Sequence, residues 1–159
     1  MTNTYDIAPA RSPADLSDVA SLFRQYASSL PVDLSYQDFN AELAGLPGKY
    51  APPGGELLIA RDIQGGAVGC VGLRPLTIAG CCEMKRLFTL PSTRGHGLGH
   101  DLSQAVVSRA RELGYSEIRL DTLPTMQAAI ALYERIGFDR CPAYYAPTPA
   151  GTIFLAMKL

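Results

Sequence analysis

Arg94-Gly95-His96-Gly97-Leu98-Gly99 lies between a strand-like run, Cys81 to Leu90, and a segment from His100 to Leu113 with helical periodicity in Leu102, Ala105, Val106, Ala110 and Leu113. A strand that turns through glycines into a helix presents first-turn N–H groups with no intrahelical acceptor, at the positive end of the helix dipole. Glycine lets the chain bend sharply and lets those groups approach an anion without a side chain in the way. Arg94 adds a planar cation suited to phosphate oxygens. The stretch therefore reads as a diphosphate-binding bend. It is not a Walker A loop, because His100-Asp101 follows Gly99 where lysine and a hydroxyl residue are required. Nor is it the G-x-G-x-x-G dinucleotide fingerprint, because His100 stands where the third glycine belongs.

Outward from this bend the chain alternates strands and helices. Tyr5 to Pro9 reads as a strand. Ser12 as N-cap, Pro13 in the first turn and Asp15 behind it open a helix whose Leu16, Val19, Ala20, Phe23, Tyr26 and Ala27 share one face. A shorter helix is expected from about Ser35, with Phe39 and Leu43 inward, closing at Pro47-Gly48. Glu56 to Asp62 and Ala67 to Leu73 are strands joined across Gln64-Gly65-Gly66. Beyond the central helix, which Gly114 caps, come a strand from Glu117 to Leu123, a helix from Met126 to Ile136 ended by Gly137, and a last strand from Thr152 to Leu159. No repeat or linker interrupts this order. It predicts one α/β (α+β) domain over residues 1–159, with helices on a mixed sheet.

Composition narrows the function classes. Hydrophobic residues make up 47% and charged residues 18% of the 159, which is globular. The formal net charge is -1 and no basic block occurs, so neither nucleic acid nor an anionic membrane is an expected partner. Met1-Thr2-Asn3-Thr4-Tyr5-Asp6 has no basic leader or apolar stretch, so no signal peptide is expected, and no run approaches the ~20 apolar residues of a membrane span. Cys70, Cys81, Cys82 and Cys141 form no CxxC pair and read as buried thiols of a cytoplasmic protein. His96 and His100 have no companion ligands at metal spacing, so no metal is expected.

With these elements in place the chain resembles the GNAT superfamily of N-acetyltransferases. Arg94, Gly97 and Gly99 match its Arg/Gln-x-x-Gly-x-Gly/Ala motif at the strand-to-helix turn. Met84 to Pro91 resembles the family's fourth strand, and Ala129-Ile130-Ala131-Leu132-Tyr133-Glu134-Arg135-Ile136-Gly137-Phe138 resembles its second motif. The resemblance implies a mostly antiparallel central sheet flanked by about four helices, with the fourth and fifth strands splayed around acetyl-CoA as co-substrate. Leu87, Phe88 and Thr89 would meet its pantetheine arm through their backbone, and the amides from Arg94 through Gly95, His96, Gly97, Leu98, Gly99 and His100 would hold the diphosphate. Tyr133 matches the tyrosine that protonates the departing thiolate. Its other reading is simple packing on an apolar helix face. At Met126 the chain departs from the asparagine of many relatives, and methionine cannot make that residue's hydrogen bond.

An attacking amine must lose a proton. Glu83 is the base candidate, with surface pairing to Lys85 or Arg86 as its alternative, and Asp121 is the runner-up. Strand alternation places Glu83 and Lys85 on one face and Arg86 on the other. Arg74 could meet an acceptor carboxylate, though a surface position is its default, and Tyr144 and Tyr145 could wall the acceptor site or pack a loop. The expected activity is direct transfer of acetyl to an amine of a small or amino-acid-like molecule, with a homodimer possible. A non-catalytic acyl-CoA sensor and a protein N-terminal or lysine acetyltransferase are the competing functions.

Overall fold

The computed structural model describes residues 4–159; Met1, Thr2 and Asn3, on which much of the leader reading rests, lie outside them. Among the described residues seven strands form one sheet: β1 (Tyr5–Pro9), β2 (Glu56–Asp62), β3 (Ala67–Pro75), β4 (Cys81–Thr89), β5 (Glu117–Thr122), β6 (Asp139–Arg140) and β7 (Ile153–Lys158). Their spatial order is β1-β2-β3-β4-β5-β7-β6, and only β4 and β5 run parallel. Four helices, α1 (Pro13–Ser29), α2 (Phe39–Ala44), α3 (Leu98–Glu112) and α4 (Gln127–Ile136), cover the two faces.

Alternation along the strands sorts the core. Leu58 and Ala60 face the α3 side with Leu102 and Val106, whereas Leu57 and Ile59 face the α1 side with Leu22 and Phe23. In β5, Ile118 and Leu120 are buried beneath α3, and the alternating Arg119 and Asp121 point to the opposite, less covered face. The α1 entry forms as its sequence implies. Asp15 N–H donates to Ser12 Oγ at 3.0 Å, and Ser12 N–H donates back to the Asp15 carboxylate at 3.3 Å.

Three differences from the sequence reading position the site. The helix expected from Ser35 is a 3-10 turn, Leu34–Gln37, followed by α2; Asp38 between them takes a left-handed conformation, φ 57°, which breaks continuity. Helix α3 begins at Leu98 rather than His100, because Gly97, at φ 76°, bends the chain sharply enough to start it early. The third concerns Arg86. Cys70 stands opposite Phe88 but Gly72 opposite Lys85, so Arg86 and Leu87 share one partner position in a β-bulge, with Arg86 at φ 62°. The extra residue resets the alternation. Arg86 therefore turns to the same face as Glu83 and Lys85, where Glu42 of α2 receives it through two hydrogen bonds of 3.0 Å.

Strands β4 and β5 pair only from Cys81 to Glu83 against Glu117 to Arg119. Past that point they diverge around a slot lined by Met84, Leu87, Leu120 and Leu123. No helix among the described residues is long and apolar enough to cross a membrane.

Candidate active site

Three hollows meet along this divergence. An open cleft runs over the glycine bend, between Leu87, Phe88 and Thr89 on one side and Met126, Gln127 and Leu132 on the other. The narrow slot between the strands follows, sharing Tyr26, Leu87 and Met126 with the cleft. Beyond it lies a chamber of about 410 Å³, which shares Tyr36, Gln37 and Lys85 with the slot.

The cleft is built for an anion. No side chain caps α3, and among the described residues the amides of Gly95, Gly97, Leu98, Gly99 and His100 make no hydrogen bond. The Arg94 and His96 amides are engaged differently, turned back at 3.3 Å to the carbonyls of Pro91 and Thr93. Gly95 and Gly97 have φ of 84° and 76°, with no atom within 4 Å of where a Cβ would stand. Positive φ, rather than crowding, is what calls for glycine there. Leu98 is buried and anchors the bend, while Arg94 and Arg135 line the cleft with exposed side chains. The unspent amides, two guanidinium groups and an extended strand edge at Leu87 to Thr89 fit a nucleotide-borne diphosphate with a linear arm.

Tyr133 stands where cleft and chamber communicate. Its ring is buried and meets Phe138 edge-on, with centroids 5.9 Å apart. Its hydroxyl makes no hydrogen bond to the protein among the described residues and borders the slot. Buried phenols normally find a partner, so this one is available to something entering the slot. Burial raises its pKa above the ordinary phenol value, which keeps it protonated. Met126 precedes α4; its sulfur lies 3.7 Å from Thr122 Oγ1, and it lines both cleft and slot.

The chamber holds a polar network. Glu83 is fully buried, its Oε1 accepting from Arg74 Nε at 2.8 Å and its Oε2 from the Tyr144 hydroxyl at 2.6 Å. Asp121 Oδ2 accepts from the Tyr145 hydroxyl at 2.7 Å. The Lys85 ammonium sits between the two carboxylates, 3.9 Å from Glu83 and 3.6 Å from Asp121, and donates to Gln37 Oε1 at 3.2 Å. Burial pulls the Lys85 pKa down, against the upward pull of Glu83 and Asp121. Burial, reinforced by the Glu83 charge and hydrogen bond, pushes the Tyr144 phenol up.

The residues singled out in the sequence thus fall into two groups. Those of the bend except His96, which stands edge-on to Tyr5 and does not line the cleft, join Leu87, Phe88, Thr89 and Met126 in lining it, and Arg74, Glu83, Tyr144 and Tyr145 meet in the chamber. Arg74 is not at the free surface; it is 24% exposed and paired with Glu83, the residue directly across from it on β4. Sequence reasoning missed Tyr26, Tyr36, Gln37 and Arg135. Gln37 is the hub of the chamber, its Nε2 lying 2.8 Å from the Tyr145 hydroxyl and 3.0 Å from that of Tyr36. No spacing signal marks a glutamine in a short turn.

Comparison with known proteins agrees with this geometry. The model of the acetyltransferase (GNAT) family matches residues 18–138. An uncharacterised N-acetyltransferase of Schizosaccharomyces pombe is 38% identical over 157 residues, covering 99% of this chain and 96% of the relative. The N-acetylaspartate synthetase of Danio rerio is 30% identical over 118 residues, covering 73% of this chain and 42% of that protein. A Salmonella typhimurium protein assigned to the acetyltransferases, solved with its cofactor acetyl-CoA, has the same fold: TM-score 0.71 at 17% identity, over 98% of this chain and 94% of the other.

Proposed function

Because this chain belongs to the GNAT acetyltransferase family and is an N-acetyltransferase, we propose that it carries acetyl from acetyl-CoA directly to the amine of a small molecule held in the chamber. The observation that carries this reading is the slot itself: a cleft lined by free amides and two arginines and a charged chamber both adjoin it, and Tyr133, with no hydrogen bond from its hydroxyl among the described residues, is on its wall. Acetyl-CoA would bring a thioester whose acyl carbon accepts the amine. The free amides of Gly95 and Gly97 to His100, with Arg94 and Arg135, bind the diphosphate, and the β4 backbone at Leu87 to Thr89 aligns the arm. Alignment of both reactants supplies much of the rate gain without a covalent enzyme intermediate.

Two proton movements follow from the side chains. Glu83 is covered by Arg74 and Tyr144, so the amine proton reaches it through the Tyr144 hydroxyl, which gives its own proton to Oε2 as it takes the other. Tyr133 donates to the leaving sulfur. A phenol near ~10 is a weaker acid than a thiol near ~8.5, but the slot that raises the Tyr133 pKa also disfavours a bare thiolate. A cysteine nucleophile is disfavoured, since burial pushes the Cys82 thiol up to about 12 and raises that of Cys81. The ring of Tyr36, Tyr144 and Tyr145 around the chamber favours a small acceptor over a polypeptide, in keeping with the N-acetylaspartate named for the Danio rerio relative.

Calorimetric titration with acetyl-CoA, followed by thiol release over pooled amines, tests this reading. Binding with amine-dependent thiol release is expected. Folded protein that takes up no acetyl-CoA at millimolar concentration would remove the proposal.

A further inference from the structure

Donors and acceptors in the chamber are unevenly spent. Glu83 uses both oxygens on Arg74 and Tyr144, and Asp121 gives one to Tyr145 and turns the other toward Lys85. The buried carboxylates are therefore satisfied by the chain itself. The cations are not. Arg74 donates only through Nε, and among the described residues its two terminal nitrogens make no hydrogen bond, although its side chain is only 24% exposed. Among the described residues Lys85 makes a single hydrogen bond, to Gln37. Lys49 is exposed on the rim and has no partner among the described residues. Asp38 is the one carboxylate lining the chamber that makes no hydrogen bond or ion pair among the described residues; it offsets Lys49 and leaves the Arg74 surplus in place.

A guanidinium held largely out of water with two terminal nitrogens free offers the paired, coplanar donors that a carboxylate fits. A guest carboxylate would exchange the solvent reaching them for paired, charge-assisted hydrogen bonds. At the other end of the chamber the Lys85 charge disfavours a guest ammonium and favours the neutral amine that attack requires. A polycation would meet three cations, with Glu83 and Asp121 already occupied and only Asp38, at the exposed rim, to receive it.

Resting on the reading above, we propose that the acceptor is an amine that also bears a carboxylate. The carboxylate seats on the terminal nitrogens of Arg74, and the amine lies at the Lys85–Asp121 end beside the slot.

The test is thiol release from acetyl-CoA with a panel of α-, β- and γ-amino acids, each against its own carboxamide, and with simple alkylamines and polyamines. The acids should exceed their carboxamides in kcat/KM by roughly 10- to 100-fold, the worth of a charge-assisted hydrogen bond or pair of bonds. In Arg74→Gln the acid-to-carboxamide ratio should fall toward one, and Arg74→Lys should restore part of it. Because the ratio is taken within one variant, damage to folding or to Glu83 lowers both rates and leaves it unchanged. Equal or better use of carboxamides, alkylamines or polyamines by the native protein overturns the proposal. So does a ratio that survives Arg74→Gln, or a failure of every acid while calorimetry shows acetyl-CoA bound. No binding of acetyl-CoA would instead overturn the transferase reading beneath it.

Discussion

Glu42→Gln should destabilise the protein by about 3 kcal/mol, although residue 42 touches neither cleft nor acceptor. Glu42 and Arg86 form a two-pronged pair, Nε to Oε2 and Nη2 to Oε1, both 3.0 Å, and the Tyr50 hydroxyl donates a third bond of 3.0 Å to Oε2. Their side chains are 10% and 2% exposed. Removing one member of such a pair leaves the other charge uncompensated, at a cost of ~3–5 kcal/mol. The lower end applies because the Arg86 guanidinium also lies 5.1 Å from the Phe39 ring centroid and 6.0 Å from that of Tyr26. In a chain of this length the loss should lower Tm by roughly 6–12 °C.

Urea unfolding reads it directly, with a lower midpoint and an unchanged m value. Glu42→Gln/Arg86→Met should recover much of the loss, because the buried charge leaves with its partner. Acid titration is an independent check. Burial alone would raise the Glu42 carboxyl pKa, but the Arg86 bonds and charge outweigh it and hold it below the usual range. The pair's contribution is therefore fully present above the unfolded carboxylate pKa of ~4.3 and drains away as pH falls through the lower folded value. The variant should lack that part of the acid limb. A midpoint within ~0.5 kcal/mol of the native protein, or parallel acid limbs, would refute the reasoning.

Gly97→Ala should weaken acetyl-CoA by roughly tenfold in calorimetry, since a Cβ at φ 76° costs about 1–2 kcal/mol, the free bend relaxes to escape it, and binding must restore it; unchanged affinity would show that the bend does not hold the diphosphate. Tyr133→Phe should cut kcat by ~100-fold or more with little change in the KM for acetyl-CoA, and full turnover when chemistry limits the rate would exclude it as the acid. In timed alkylation of the native protein, half-buried Cys141 should react first, whereas Cys70 and Cys82, whose thiols burial holds high, should react only on unfolding. Early labelling of Cys82 would contradict its packing.

The glycine bend was legible because its geometry is local. Three glycines after a strand and before a helix favour free amides, and the structure leaves those of Gly95 and Gly97 to His100 free, with Gly95 and Gly97 at positive φ; the Arg94 and His96 amides, expected among them, turn back to Pro91 and Thr93. The strand read from Glu117 to Leu123 likewise forms, as Glu117–Thr122. The acceptor half is tertiary. Glu83 has Lys85 and Arg86 near it in sequence, yet its closest partners are Arg74 across the ladder and Tyr144 from a distant loop. Arg86 was placed on the wrong face because a left-handed arginine in a bulge leaves no mark in the residue pattern; the groups that receive it, Glu42, Phe39 and Tyr26, belong to α1 and α2. Gln37 becomes a hub only when its turn is laid against β4 and β5. Main-chain recognition of a shared donor needs few side chains and is written in glycines. Recognition of a particular acceptor is written in side chains from separate elements, so the free nitrogens of Arg74 acquire meaning only once Glu83, Tyr144 and Lys85 are seen around them.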